Sequence, residues 1–275
     1  MNDSFLNSPY FNPPSSQPTV IQRQVDSPQV DGTAGSPNME MKKGFTSIII
    51  PAYFMNYSLF HYTGHCIGSV REHTDMTKTP YEIILIINGK TGITFDNLEQ
   101  THADKVISNE ENKGYGAAMN QGLRIATGEY VVFLSNDVLV FDHWLEDVQE
   151  ALQHKDLIMA TPMYGMPFAR SVESMAFREN WMNKPIEESF SDFRDFSCAA
   201  AKKSLFDEVG AFDEGFFVYK EDVDLLKRLQ KANKTFASSK RINTYHIIGA
   251  TSTNMSDEEL HKEEGKKHFE EIHGV

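Results

Sequence analysis

Three short stretches of this chain carry residue types that can do chemistry. The first is Ser135-Asn136-Asp137, which interrupts an apolar run, with Val131 to Leu134 before it and Val138 to Val140 after it. A carboxylate at what should be a buried strand end costs free energy unless a partner, water or a cation balances it. A hard cation such as Mg2+ or Mn2+ suits that place, because it takes oxygen ligands from one or two carboxylates and from substrate phosphates. The competing reading is that Asp137 caps a helix beginning near His143, or forms a turn. On these residues alone the two readings stand level.

The second stretch is "FDEGFFVYKEDVDLLKRLQ", residues 212–230. Five carboxylates (Asp213, Glu214, Glu221, Asp222, Asp224) flank the aromatic patch "FFVY". Acids in a first helical turn are favoured by the macrodipole, so Glu221 and Asp222 can be simple capping residues. They can equally supply a general base, held near apolar rings that raise its pKa. The third stretch, "TYHIIGATST", places His246 after a short strand, and a lone histidine is more often structural. "NKGYGAAMN" is a weak phosphate-loop pattern, since GxG sequences are common.

These stretches must be positioned by regular elements. Thr46 to Ile50 is a β-branched apolar run ended by Pro51, as expected of a strand buried on both faces. Further strands are expected at 81–87, 104–108 and 129–134, with helices at 57–73, near 95–101 and at 114–126. That alternation predicts an α/β fold, with a mostly parallel sheet flanked by helices. Ligands bind such sheets outside the carboxyl ends of the strands. Pro51 to Tyr53, Asn88-Gly89 and Ser135 to Asp137 all fall there. Later, a helix is expected at 143–154, a strand over "LIMATPM", and helices over "KKSLFDEVG" and "EDVDLLKRLQKAN". Residues 164–195 give mixed signals, fitting a long surface excursion.

Residues 1–44 are rich in Pro, Ser, Gln, Asn and Gly without an apolar period, which predicts a disordered arm. The expected domain follows at 45–255, and 256–275 reads as a charged, solvent-facing helix. The whole chain has 275 residues and a formal charge of −13, which argues against a nucleic-acid binder. Two distant cysteines, Cys66 and Cys198, favour a reducing compartment over a disulfide framework. With no apolar run of membrane-spanning length and no secretory signal, the expectation is a cytoplasmic protein, with peripheral contact at the inner face of a membrane still open.

In their order, these elements resemble the family 2 glycosyltransferases of the GT-A fold, a Rossmann-like single domain, and above all bacterial members that transfer rhamnose or galactofuranose. The resemblance covers about residues 45–250 and rests on "IIIPAY", "ENKGYGAAMNQGL", "FLSND" and, most specifically, "GAFDEGFFVYKEDVDLLKRL" followed by a His-x-x-Gly element. It implies a nucleotide-diphosphate sugar donor, a glycan, lipid-linked or protein acceptor, and Mn2+ or Mg2+. Pro51, Ala52 and Tyr53 would line the base site, and Asn112 and Gly114 the ribose and diphosphate. Asn88 and Asn136, at the neighbouring strand ends, join that nucleotide-sugar set. Asp137 would bind the metal with His246 as a further ligand; Asp222 would be the catalytic base, with Glu221 beside it. Two positions depart from the pattern: Ile87, followed by Asn88, where the family usually has Asp, and Ser135 at the first acidic position of the metal motif. No Gln-x-x-Arg-Trp signature is present, so one sugar per encounter, transferred with inversion, is the expectation. The rival readings are a non-catalytic nucleotide-sugar binder and a sugar nucleotidyltransferase; the latter normally has a glycine- and cation-rich loop after the first strand, and "PAYFMNYSLF" has none.

Overall fold

The computed structural model describes residues 41–89, 102–164, 180–181, 184–247 and 257–274. The expected arm up to residue 40 and the expected helix near 95–101 lie outside these residues, as does most of the 164–195 excursion.

Isoleucine repeats explain the centre of the molecule. Strand β1 (Lys42–Ala52) pairs in parallel with β2 (Tyr81–Asn88) on one side and with β4 (Gly128–Leu134) on the other. Strand β3 (Lys105–Asn109) continues the parallel set beyond β2. Alternate residues of these strands point to opposite faces. Ile48, Ile50, Ile83, Leu85, Val132 and Leu134 therefore enter one core, and Ile49, Ile84, Ile86, Val131 and Phe133 enter the other. The first core is closed by α1 (Tyr57–His73) and α3 (Trp144–Ala151), through Cys66, Ile67, Val70, Trp144 and Val148. The second is closed by α2 (Tyr115–Ile125) and, further along the chain, α5 (Glu221–Lys231), through Ala118, Met119, Leu123, Leu225 and Leu229. Burial on both faces is what makes the strand sequences continuously apolar.

Among the described residues the sheet has eight strands, in the order β3-β2-β1-β4-β9-β6-β10-β8. β6 is Leu157–Ala160, β8 Phe190–Ser191, β9 Cys198–Lys202 and β10 Phe236–Ser239. β9 runs antiparallel between β4 and β6, and β8 is an antiparallel edge. The other strands share one direction, so the sheet is mostly parallel, as expected. A second sheet, β5 (Val138–Val140), β11 (Thr244–His246) and β7 (Met163–Tyr164), stands at the carboxyl ends of the first.

Four expectations are corrected. β1 begins at Lys42 rather than near 45, because Lys42 pairs with Gly128 across a register shift. The apolar run "LIMATPM" is divided between β6 and β7, which belong to different sheets. The "KKSLFDEVG" segment ends β9 and then forms only the short helix α4 (Leu205–Val209). The terminal helix, α6 (Glu258–His273), is also not simply solvent-facing: one of its faces is docked on residues 213–224, as described below. Among the described residues, no helix is long and apolar enough to cross a membrane.

Candidate active site

β4 ends where the polar triad begins. Ser135 donates its backbone N–H to the Ser197 carbonyl at 2.7 Å, and the Asn136 amide donates to the Thr63 hydroxyl of α1 at 2.9 Å. The Asn136 side chain, expected to meet a nucleotide sugar, is thus buried and engaged in holding α1 to the strand end. Asp137 is buried too, and it faces the second sheet. Antiparallel pairing of β11 with β5 puts His246 opposite Val138. The imidazole Nε2 then lies 3.4 Å from Asp137 Oδ1, so the structure brings the two expected metal ligands together.

The other ring nitrogen, Nδ1, lies 3.4 Å from Asp195 Oδ2. Burial alone would lower the pKa of His246, but hydrogen bonding to Asp137 and Asp195, and their charges, push it up to about 9. Without a cation, the imidazolium balances the two carboxylates. The donor set also fits a divalent ion: a carboxylate oxygen and an imidazole nitrogen face each other, and a second carboxylate sits behind the ring, where it can fix the tautomer. No group of three or more such side chains among the described residues is arranged to hold a metal. An ion here would therefore complete its coordination with substrate oxygens, the arrangement usual for Mg2+ and Mn2+.

Asn88, at the end of β2, organises the neighbouring loop. Its amide nitrogen donates to Asn112 Oδ1 at 2.8 Å and to the Gly114 carbonyl at 3.0 Å, while its oxygen accepts from Asn109 and from the Lys113 backbone. Asn112 Oδ1 in turn accepts the Gly114 N–H at 2.9 Å. The two asparagines therefore shape the loop that opens α2. Gly114 has φ +86, and a Cβ there would run into the Phe217 carbonyl, which itself accepts the Tyr115 N–H at 2.8 Å. Ala52 is buried at the end of β1, with Pro51 and Tyr53 half-buried on either side, and the Tyr53 ring edge is close to Gly89. Pro51, Tyr53, Asn88, Asn112 and Gly114 form one rim.

The acidic block resolves into two kinds of carboxylate. Asp213 pairs with His268 at 3.0 Å, and Glu214 accepts from Asn120 at 2.9 Å. Asp224, 1% exposed, accepts from Arg228 at 2.7 and 2.8 Å and faces His273 at 2.9 Å. These three are structural. Glu221 and Asp222, at the start of α5, are different. Glu221 is 8% exposed, and its Oε2 has no hydrogen-bond partner among the described residues. Burial first, and the Asp222 charge second, push its pKa up to about 7. Asp222 is half-buried, accepts the N–H of Val223 at 2.7 Å, and is also raised, chiefly by burial.

The residues just before this pair are strained. Tyr219 and Lys220 have φ of +72 and +76. Side chains with a Cβ rarely adopt this region, and each such residue costs on the order of 1–3 kcal/mol and persists only where its surroundings impose it.

Tyr115 joins the two halves of the site. Its hydroxyl is raised well above the usual phenol range by burial and then by the charges of Glu221 and Asp222, while a hydrogen bond with Ser135 acts in the opposite sense. Its ring meets Phe212 edge-on at 6.4 Å, and Phe212 packs on Phe133 of β4 at 5.0 Å. Tyr115 and Asp195 belong to the site yet have no motif of their own. Tyr115 stands inside the "KGYG" pattern, and Asp195 is carried in by the pairing of Cys198 with Leu134. The two cysteines are buried and free, and burial raises both thiols, Cys198 to about 12. They are poor nucleophiles.

Residues 47–210 match the model of the family described as "Glycosyl transferase family 2". An uncharacterized glycosyltransferase of Rickettsia bellii is 24% identical over 221 residues, which cover 76% of this chain and 30% of that protein. The putative glycosyltransferase CsbB of Bacillus subtilis is 26% identical over 231 residues, covering 78% of this chain and 68% of that one. The chain spans about a third of the length of several curated relatives it matches. Among solved structures, residues 1–349 of S. aureus TarS in complex with UDP superpose with a TM-score of 0.52 at 19% identity, covering 74% of this chain and 60% of that one. That likeness shows a shared fold.

Proposed function

Because the chain belongs to glycosyl transferase family 2, we propose that it moves a sugar from a nucleotide-diphosphate donor to a hydroxyl of a glycan, lipid-linked or protein acceptor, with inversion. The observation that carries this reading is the division of the acidic block. Of its five carboxylates, the three structural ones are paired within the protein, and the other two are held together, with raised pKa values, beside the strand-end site. Raised pKa values in a cleft mark a functional site, and a pKa near neutrality suits a group that must gain and lose protons.

The rim from Pro51 to Tyr53, together with Asn88, Asn112 and Gly114, receives the nucleotide. Its asparagines are already hydrogen-bonded to one another, so their part is to hold the loop in shape for the donor. TarS is seen with UDP, which makes UDP-sugars the first donors to try. Asp137 and His246 would hold Mn2+ or Mg2+, and Asp195 would orient the imidazole. A cation so held supplies charge neutralisation for the departing diphosphate.

Asp222 takes the acceptor proton. Two adjacent carboxyls do not ionise independently. The Asp222 charge contributes to the raised pKa of Glu221, so Asp222 carries the negative charge first and Glu221 stays largely protonated below about 7. Asp222 is also the more open of the two. The acceptor oxygen forms its bond to the anomeric carbon as its proton passes to Asp222, and the bond from that carbon to the diphosphate breaks, its electron pair leaving with the nucleotide. A single displacement of this kind inverts the anomeric centre.

Thermal-shift measurements with UDP-, dTDP- and GDP-sugars, with and without Mn2+, test the reading. A donor at about 100 times its Kd stabilises by about 2.7 kcal/mol. No shift with any nucleotide sugar, in either condition, would overturn the donor assignment.

A further inference from the structure

The turn that delivers Glu221 and Asp222 is held from outside the segment matching the family model, which ends at residue 210. Tyr219 and Lys220 both take left-handed backbone conformations. Such a pair persists only where its surroundings over-determine it. The surroundings come from α6, which follows the turn along one face. The Tyr219 hydroxyl donates to Glu258 Oε1 at 2.6 Å, and the Lys262 ammonium lies 5.4 Å from the centre of the Tyr219 ring. Lys262 is itself fixed by Glu258 and Glu259, at 3.0 and 2.9 Å. The His261 ring stacks on Phe217 at 4.4 Å, and His268 meets Phe216 edge-on at 4.6 Å while pairing with Asp213. At the end of the helix, His273 closes on Asp224, inside α5.

Gly265 sits at the centre of this face and is the one buried residue of α6. A Cβ on it would stand 2.7 Å from the Tyr219 carbonyl oxygen and 3.4 Å from that of Val218. Real Cβ atoms do not approach a backbone oxygen so closely, so a side chain there must move either the helix or the turn. The helix is tied at Glu258, His261, His268 and His273, on both sides of Gly265. The turn is already strained, so it is the part that yields.

We propose that α6 is a positioning element for the reaction, with Gly265 as the positioning residue whose bare backbone lets the helix clamp the Tyr219-Lys220 turn and so aim the Glu221 and Asp222 carboxyls. The inference rests on the function proposed above, but it concerns geometry that can be read without turnover. The same loop also accepts the Tyr115 N–H through Phe217. Phe212 and Glu214 hold Asn120 of α2 as well, so this part of the loop, before the turn, is anchored on α2, and a displaced turn disturbs the Glu221 and Asp222 carboxyls first.

The test is Gly265→Ala in the full chain. Alanine favours a helix interior over glycine, so helix propensity alone predicts an unchanged or more stable α6. The expected result is a folded protein whose donor affinity stays within about twofold of the parent and whose kcat falls by roughly 10- to 100-fold, the scale of an ångström-sized misplacement of a reacting group. Tyr219→Phe removes only the hydroxyl bond to Glu258 and should lower kcat by roughly fivefold, the scale of one hydrogen bond. It provides the same test if Gly265→Ala fails to fold. Carbon-13 NMR titration of the glutamate carboxyls gives a readout independent of activity: the high-pKa Glu221 signal should move in both variants. Unchanged kcat and an unmoved Glu221 titration in the folded variants would overturn the inference. So would a loss of donor affinity equal to the loss of kcat, which would mark a general structural role. If the parent protein transfers no sugar but Gly265→Ala still moves the Glu221 titration, the clamp stands and the proposed function falls.

Discussion

The two sides of the site are built on opposite principles. On the proposed donor side, polar residues sit at the ends of buried strands and satisfy one another. Asn88 makes two donor and two acceptor bonds, Asn136 holds α1, and His246 lies between two carboxylates. On the proposed acceptor side, a strained turn delivers two carboxyls that no cation among the described residues pairs with, one of them with a buried oxygen that has no partner there. Buried polar groups that are satisfied confer rigidity, whereas an unsatisfied one is a cost that natural proteins keep mainly where function uses it. The comparison teaches that the donor side is a preformed cradle and the acceptor side a loaded one.

The largest effect that could break this comparison is at Asp222. Asp222→Asn keeps an amide oxygen for the Val223 N–H but is no longer a carboxylate that can take the proton. Turnover should fall by roughly 10²–10⁴, the usual contribution of a general base, with an unfolding midpoint no lower than the parent's, since a carboxyl raised by burial is removed. Wild-type turnover in steady-state assays of this variant would show that the unneutralised pair has no chemical role.

A smaller effect, of the opposite kind, belongs to Asn88. Asn88→Ala removes one partner each from Asn109, Asn112, the Gly114 carbonyl and the Lys113 N–H at once, so stability should fall by about 2–3 kcal/mol. Donor KM should rise, because the 112–114 loop loses its shape, while kcat at saturating donor changes little. Chemical denaturation together with donor-dependence curves checks both parts, and a pure kcat effect would erase the distinction between the two sides.

A third effect sharpens the comparison through pH. The Glu221 pKa is raised in the folded protein to about 7 from an ordinary value of 4.5. A raised carboxyl leaves the protein most stable below 4.5 and removes stability as pH rises through about 7. The shift of about 2.5 units corresponds to at most about 3 kcal/mol by pH 8. Glu221→Gln should therefore unfold at a higher temperature than the parent at pH 8, and at nearly the same temperature at pH 4.5. Equal melting temperatures at pH 8 would show that no charge is held under tension there.

Much of the donor side was legible in the sequence because it obeys local rules. "SIII", "EIILII" and "YVVFL" are continuously apolar and β-branched, so strands buried on both faces, and with them the polar strand ends, follow directly. β9 gave no such signal: "CAAAK" has a weak strand propensity, and only its place between β4 and β6 makes it a strand. Asp195 was hidden for the same reason, since it reaches His246 across a tertiary pairing. The acceptor side was legible in composition but not in sorting. The five acids of 213–224 look alike on the page; what separates them is which ones meet Asn120, Arg228, His268 or His273. Two of these four partners lie on α6, whose alternating charges read as a solvated face because the pattern shows charge but not the ring and backbone contacts of Phe217 and Tyr219.

The division of labour between the two sides is tested most directly by calorimetric titration of a nucleotide sugar, in the presence of Mn2+, into Asp222→Asn. The account predicts a donor Kd within about twofold of the parent, since binding belongs to the strand-end cradle. Asp137→Ala, titrated in parallel, should lose Mn2+-dependent binding. A donor affinity lost in Asp222→Asn but kept in Asp137→Ala would contradict the account at its centre.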